Sequence, residues 1–178
     1  MKILVLTGSP HRKGTSALLA DEFIRGAEQA GHEVRRFDTA FKQVGGCLAC
    51  DKCRGTGSCV QRDDFAALCP SLLEADLVAF VTPLYYFGMS AQLKRTVDRF
   101  YSVNDKLMEQ RKQTVLLATC GDTDPRATDA LEAHYDAVCR YLGWRDAGRV
   151  LAHGVDVRKE IEASDFPARA FALGAGLG

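Results

Sequence analysis

Four of the seven cysteines in this chain lie within thirteen residues, spaced as Cys47-x2-Cys50-x2-Cys53-x5-Cys59. Thiolate sulfur is a ligand for soft metals and for iron–sulfur clusters. Three cysteines at two-residue spacing, with a fourth a little further along, are typical of the ligands of a [4Fe–4S] cluster. A structural zinc site more often uses two Cys-x2-Cys pairs that lie further apart. The spacing therefore favours a cluster in the loop of residues 45–60, with zinc, free thiols or an air-oxidised cysteine pair as open alternatives.

A second candidate site lies near the amino-terminus, where a short apolar strand leads through a polar turn into an amphipathic helix. Ser9, Thr15 and Ser16 bring hydroxyl groups to this turn, and Gly8 and Gly14 leave the backbone open to a ligand. The backbone N–H groups and the dipole at a helix amino-terminus attract anions. The turn therefore predicts a phosphate site, although its spacing matches neither the P-loop nor the dinucleotide fingerprint. An ordinary strand-to-helix turn is the alternative.

Three consecutive aromatic residues form the third candidate, in the segment Pro83-Leu84-Tyr85-Tyr86-Phe87-Gly88. A solvent-facing loop gains nothing from three aromatic rings, whereas a flat conjugated ligand is bound by stacking and edge contacts. The alternative is that the rings pack under a neighbouring loop or in a subunit interface. A phosphate turn together with an aromatic surface suggests a flavin mononucleotide.

These candidate sites need strands and helices that bring them together. The apolar runs of residues 3–6, 77–81 and 114–118 predict buried parallel strands, with an edge strand at residues 33–37 and a short last strand at residues 149–152. The helices are expected between these strands, over residues 15–30, 64–74 and 126–142, from Ser90 onward, and weakly after Pro167. Residues 102–113 are expected to be a polar excursion.

Strands that alternate with helices indicate a three-layer α/β fold with a parallel sheet wound in both directions. Ligands bind such sheets at the carboxyl ends of the strands, where the strand order reverses. The turn after Gly8 and the segments 82–88 and 119–122 meet at that edge, so we expect them to form one ligand site.

Composition narrows the function classes. The 178 residues balance 23 basic against 23 acidic side chains, so no net positive charge indicates nucleic acid or an anionic membrane as a partner. No apolar run approaches the length of a membrane span, and the amino-terminus lacks the pattern of a signal peptide. The histidines lack partners at the spacings of hydrolytic enzymes. We expect a single domain over residues 1–178 in the cytoplasm.

The sequence resembles a known family at three places. Thr7-Gly8-Ser9-Pro10 through Ser16, Thr82-Pro83-Leu84-Tyr85 through Lys94, and Asp98-Arg99 are similar to the NADPH-dependent FMN reductases, and the cysteine motif is similar to the iron–sulfur flavoproteins among them. The resemblance covers residues 1 to about 100. It implies a flavodoxin-like three-layer sandwich with a five-stranded parallel sheet in the order 2-1-3-4-5, and a homodimer or homotetramer.

The same resemblance implies the residues that bind FMN. The phosphate would lie in the turn of residues 9–16, the ring system against residues 83–88, and the pyrimidine end near the segment after Thr119. This chain has His11 and Thr15 where relatives often have Arg and Asn. The implied FMN-binding residues are Ser9, His11, Gly14, Thr15, Ser16, Pro83, Leu84, Tyr85, Tyr86, Phe87, Gly88, Cys120, Gly121 and Asp122.

Three functions remain in competition. The first is an FMN-dependent oxidoreductase that takes hydride from NAD(P)H and reduces a small acceptor such as a quinone or a flavin, with the flavin rather than a side chain as the reacting group. The second is an electron carrier whose cluster at Cys47, Cys50, Cys53 and Cys59 passes single electrons to a ferredoxin-like protein. The third is a phosphate-binding module without flavin.

Overall fold

The computed structural model describes residues 1–178, and the apolar runs form the parallel sheet that the sequence predicts. The strands are β1 (Lys2–Thr7), β2 (Glu33–Asp38), β3 (Leu77–Tyr85), β4 (Gly88–Met89), β5 (Gln113–Thr119) and β6 (Arg145–Ala152). Five of them are parallel, in the order β2-β1-β3-β5-β6, and β4 pairs antiparallel with the end of β3. The predicted order 2-1-3-4-5 is therefore confirmed for the parallel strands, and β4 is an addition to it.

Helices cover both faces of the sheet. They are α1 (Thr15–Gln29), α2 (Phe65–Glu74), α3 (Ala91–Asp98), α4 (Asn104–Glu109), α5 (Asp129–Leu142), α6 (Arg158–Glu162) and α7 (Phe166–Ala175). Short 3₁₀ helices lie at Thr39–Phe41, Arg99–Val103 and Pro125–Thr128. None of the helices combines the length and the apolar composition needed to cross a membrane.

Side chains that alternate along each strand divide the core in two. On β1, Ile3 and Val5 pack towards α1 and α7, while Leu4 and Leu6 pack towards α2, α3 and α5. The two clusters on opposite faces of the sheet confirm the three-layer arrangement. Strand β2 has one exposed side along most of its length, as expected of an edge strand.

The carboxyl-terminal half departs from the sequence expectations in two places. Residues 102–113 are not simply polar: a 3₁₀ turn and α4 bury Val103 and Leu107, which are four residues apart and so share one helix face. The last strand begins at Arg145, not 149, because its polar first half still pairs with β5 at the sheet edge.

The last helix, expected to be weak, packs closely against α1. A Cβ on Gly26 would lie 2.1 Å from the carbonyl oxygen of Phe171, and one on Gly174 would lie 2.2 Å from that of Phe23. The absence of side chains at these two glycines lets the helix backbones touch, so α7 is a structural part of one layer.

Candidate functional site

A cavity of about 570 Å³ lies at the carboxyl ends of β1, β3 and β5. The three predicted loops meet there, as the sheet topology requires. The lining residues come from four segments of the chain: Ser9, Pro10, His11, Arg12, Lys13, Gly14, Thr15, Pro83, Leu84, Tyr85, Thr119, Cys120, Gly121, Val155, Asp156, Val157 and Arg158.

The turn between β1 and α1 forms the polar end of this cavity. The hydroxyl of Ser9 accepts a hydrogen bond from the His11 N–H at 3.1 Å, and the Gly14 N–H donates to the His11 carbonyl at 3.1 Å. The Thr15 hydroxyl lies 3.0 Å from that of Thr119, which links this turn to the end of β5. Helix α1 has Gly14 at its N-cap position and no side-chain cap, so its first N–H groups and its dipole remain available to an anion.

Gly8 contacts other segments of the protein and does not line the cavity, whereas the sequence analysis expected it to leave the backbone open to a ligand. Its N–H donates to the Val81 carbonyl at 2.8 Å, and its carbonyl accepts from the Ser90 hydroxyl at 2.7 Å. A Cβ at this position would lie 2.3 Å from the Ser90 oxygen. The glycine therefore allows the turn to lie directly on the start of α3.

Basic side chains at the cavity wall were missed by the sequence analysis. Arg12, Lys13 and Arg158 line the cavity together with one acidic residue, Asp156. Arg158 also pairs with Glu162 at 2.6 Å. The adjacent Arg12-Lys13 pair inside the turn was a readable signal for an anion site, whereas residues 155–158 carry no motif. The excess of positive charge beside an uncapped helix fits a phosphate.

The aromatic segment is a β-hairpin, and only its first half reaches the cavity. Pro83, Leu84 and Tyr85 line the wall, while Tyr86 and Phe87 form the turn with φ of 45° and 62°. Tyr86 is fully exposed and Phe87 is 58% exposed, so these rings and Gly88 lie outside the lining. β3 thus extends to Tyr85, beyond the expected end at Val81.

The third loop and α1 supply the remaining predicted residues. Cys120 and Gly121 line the cavity, whereas Asp122 does not; Ser16, in the first turn of α1, is buried and is not among the lining residues. Burial and the nearby Asp122 carboxylate raise the pKa of the Cys120 thiol. Its sulfur lies 3.4 Å from Nδ1 of His153. Cys120 is therefore a neutral thiol at neutral pH and not an activated nucleophile.

The chemical groups that line the cavity are suited to binding FMN. Free helix N–H groups and basic side chains at one end suit a phosphate, and Pro83, Leu84 and Tyr85 offer an apolar wall to a flat ring system. The volume lies within the usual range of small-molecule sites.

The four clustered cysteines line one small cavity. The loop bends at Ala49 and Asp51, which have φ of 50° and 54°. Cys47 and Cys50 are exposed, and Cys53 and Cys59 are half-buried. The structure has no group of three or more His, Cys, Asp or Glu side chains placed to coordinate one metal ion. The cysteines thus share a surface without forming a closed ligand set, and metal binding stays a prediction.

A buried ion pair closes this cysteine loop at its base. Arg99, at the start of the second 3₁₀ helix, pairs with Asp63 at 2.6 Å and donates to the Gly45 carbonyl at 3.0 Å. Asp63 also accepts from the N–H groups of Gly45 and Phe65. Burial raises the pKa of Asp63, but Arg99 and these N–H groups outweigh it and hold that pKa below its usual value. The sequence analysis gave neither Asp63 nor its pairing with Arg99 a role in this loop.

Comparison with known proteins identifies a family that matches most of the chain. Residues 1–155 match the family described as NADPH-dependent FMN reductase. An iron–sulfur flavoprotein of Methanocaldococcus jannaschii is 30% identical over 140 residues, which cover 76% of this chain and 70% of the relative. Another, of Archaeoglobus fulgidus, is 34% identical over 99 residues, covering 56% of this chain and 45% of the relative. The chain spans about half the length of the first curated relatives that it matches.

Solved structures share the whole fold. An NAD(P)H:quinone oxidoreductase from Methanothermobacter marburgensis superposes with a TM-score of 0.76 at 20% identity, covering 98% of this chain and 96% of that one. An FMN-dependent NADH-azoreductase from Bacillus anthracis, solved with FMN, gives a TM-score of 0.71 at 14% identity over 98% and 97% of the two chains. At these identities the likeness shows the fold, and it confirms the flavodoxin-like sandwich that the sequence predicts.

Proposed function

This chain belongs to the NADPH-dependent FMN reductase family, and we propose that it is an FMN-dependent oxidoreductase which oxidises NADH or NADPH and reduces a small acceptor such as a quinone or a flavin. The observation that carries the proposal is the cavity at the carboxyl ends of β1, β3 and β5. Its walls combine an uncapped helix amino-terminus, three basic side chains and an apolar hairpin strand.

Bound FMN would supply the chemistry, because it accepts two electrons from a nicotinamide and releases them to an acceptor. The chain itself binds and orients the cofactor. The first N–H groups of α1, with the hydroxyls of Ser9 and Thr15, would hold the phosphate, and Arg12 and Lys13 would balance its charge. Tyr85 would pack against the ring system.

The test is FMN binding and turnover by the purified protein. We expect it to take up FMN with a flavin absorption spectrum and to oxidise NADH or NADPH when a benzoquinone is added. Tyr85→Ala should lower the FMN affinity, while the matched change Tyr141→Ala, at an exposed tyrosine of α5 outside this cavity, should leave it unchanged. A folded protein that does not bind FMN would overturn the proposal.

The cysteine loop supports a second function, that of an iron–sulfur flavoprotein which passes single electrons to a ferredoxin-like protein. The supporting observations are the four cysteines on one cavity and the relatives that carry this name. Iron and acid-labile sulfide, measured after anaerobic purification, should reach about four of each per chain. Both should fall in Cys50→Ala and not in Cys69→Ala, since Cys69 lies on α2 outside that cavity. If the wild type contains neither iron nor acid-labile sulfide, this second function is wrong and only the first function remains.

We also propose that residues 1–178 act as one domain, assembled as a homodimer or homotetramer in the cytoplasm. The exposed rings of Tyr86 and Phe87 at the hairpin turn support assembly, since a second copy would bury them. The seven unpaired cysteines support a reducing compartment. Sedimentation of Tyr86→Ser/Phe87→Ser should show a smaller species than the wild type, and an unchanged assembly would place the interface elsewhere.

A further inference from the structure

Arg99 is a buried cation that uses only part of its hydrogen-bonding capacity. Its side chain is 1% exposed, and one nitrogen, Nη1, makes both the ion pair with Asp63 and the bond to Gly45. The other two nitrogens, Nε and Nη2, are buried and have no hydrogen-bond partner. Unpaired buried N–H groups are costly, and those of a charged group more so. An acceptor is therefore expected beside Arg99.

Candidate acceptors line the loop cavity beside Arg99. Arg99 lines the same small cavity as Cys47, Cys50, Cys53 and Cys59, and with Cys59 it also lines a neighbouring cavity of about 380 Å³. A guanidinium is always protonated in proteins, so Arg99 brings a buried positive charge to the cavity that the four cysteines line.

Closure of the loop base alone does not explain this arrangement. The base is already held by Nη1 of Arg99, by the Gly45 N–H bond to Asp63 at 2.9 Å and by Gln61, whose amide donates to the Gly46 carbonyl at 2.9 Å. None of these contacts uses Nε or Nη2 of Arg99. Two charged donors are thus left over at the wall where four thiolates would gather.

We propose that Arg99 is a positioning residue for an iron–sulfur cluster in the cysteine loop, with its Nε–H and Nη2–H groups donating hydrogen bonds to cluster or cysteine sulfur. The proposal rests on the cluster function proposed above. When the cluster takes up one electron, its negative charge grows, and charge-assisted hydrogen bonds to sulfur stabilise the reduced form. Arg99 therefore makes the cluster easier to reduce.

The test is the reduction potential of the reconstituted cluster, followed by electron paramagnetic resonance during a dithionite titration. Arg99→Lys keeps a positive charge but loses the planar set of donors. We expect this variant to retain FMN and iron. Its reduction potential should be lower by about 59 mV, which for a one-electron couple is a tenfold change in the ratio of reduced to oxidised cluster. The matched control is Arg54→Lys, an exposed arginine of the same loop that does not line the cysteine cavity, and its potential should equal that of the wild type.

If Arg99→Lys does not fold, a second variant still tests the inference. Arg99→Met/Asp63→Leu replaces the whole buried pair with apolar side chains, a change that proteins often tolerate. It should show the same downward shift. If the folded Arg99 variants contain the full amount of iron and have the same reduction potential as the wild type, the inference is wrong. A wild type that binds FMN and oxidises NAD(P)H but takes up no iron also overturns it, and leaves the reductase function standing.

Discussion

At the scale of single residues, Asp63 has the largest expected effect on stability. It is the partner of a fully buried arginine and also accepts two backbone N–H groups. We expect Asp63→Asn to lower the free energy of unfolding by about 3 kcal/mol, because it leaves the Arg99 charge buried without a counter-ion. Urea unfolding at pH 7 measures this, and a loss below about 0.5 kcal/mol, typical of a surface pair, would contradict it.

The same carboxylate predicts an acid dependence. The pKa of Asp63 is lower in the folded protein than its unfolded value near 3.8, so its contribution to stability is present above that pH and is lost as the pH falls through the folded pKa. The difference in unfolding free energy between wild type and Asp63→Asn should therefore shrink below about pH 4. A difference that is constant from pH 7 to pH 3 would show that Asp63 acts without its charge.

Lys13 provides a residue-scale test of the phosphate end of the cavity. Lys13→Gln should weaken FMN binding by roughly 1 kcal/mol, about fivefold, because one cation is lost beside a doubly charged group. The loss should be smaller at 1 M salt, where exposed charges are screened. Lys159→Gln is the matched control, since Lys159 lies on α6 outside the lining. Equal affinities for both variants in a fluorescence titration would remove Lys13 from the site.

At the scale of elements, the contact between α1 and α7 determines one outer layer. Gly26→Ala would place a methyl group 2.1 Å from the Phe171 carbonyl, so the two helices must separate. We expect a loss of about 2 kcal/mol of stability, typical of overpacking, and a lower midpoint of thermal unfolding. Gly46→Ala is the control, since a Cβ there meets no atom within 4 Å. Equal midpoints for the two variants would mean that α7 is not firmly packed.

Among the elements of the site, the hairpin between β3 and β4 departs most from what the sequence predicts. The sequence presents three equivalent aromatic residues, yet alternation along β3 and a tight turn give them different roles. Tyr85 faces the cavity, while Tyr86 and Phe87 occupy left-handed backbone positions that bulky residues rarely adopt. Strain of this kind persists where a function uses it, which agrees with a role for the two rings in assembly.

For the whole molecule, the predictable features are those that local sequence encodes. β1, β3 and β5 are buried on both faces and therefore read as apolar runs, which yields the parallel sheet and the edge where the loops meet. The first half of β6 and helix α4 were missed because few of their side chains are apolar. Residues 155–158 and the pairing of Arg99 with Asp63 were missed because tertiary structure alone brings distant segments together.

The assembly of the cavity from four distant segments leads to a prediction about ligand removal. A ligand that contacts the ends of β1, β3 and β5 and residues 155–158 binds only the folded chain, so it must stabilise that chain by mass action. FMN at one hundred times its dissociation constant should raise the free energy of unfolding by about 2.7 kcal/mol, and its removal should reverse this. Riboflavin, which lacks the phosphate, is the matched control: at the same concentration it should stabilise the protein much less, because the donors of α1 and Lys13 then have no anion to bind. Thermal unfolding with each ligand measures the difference, and equal stabilisation by the two would mean that the turn before α1 is not the phosphate site.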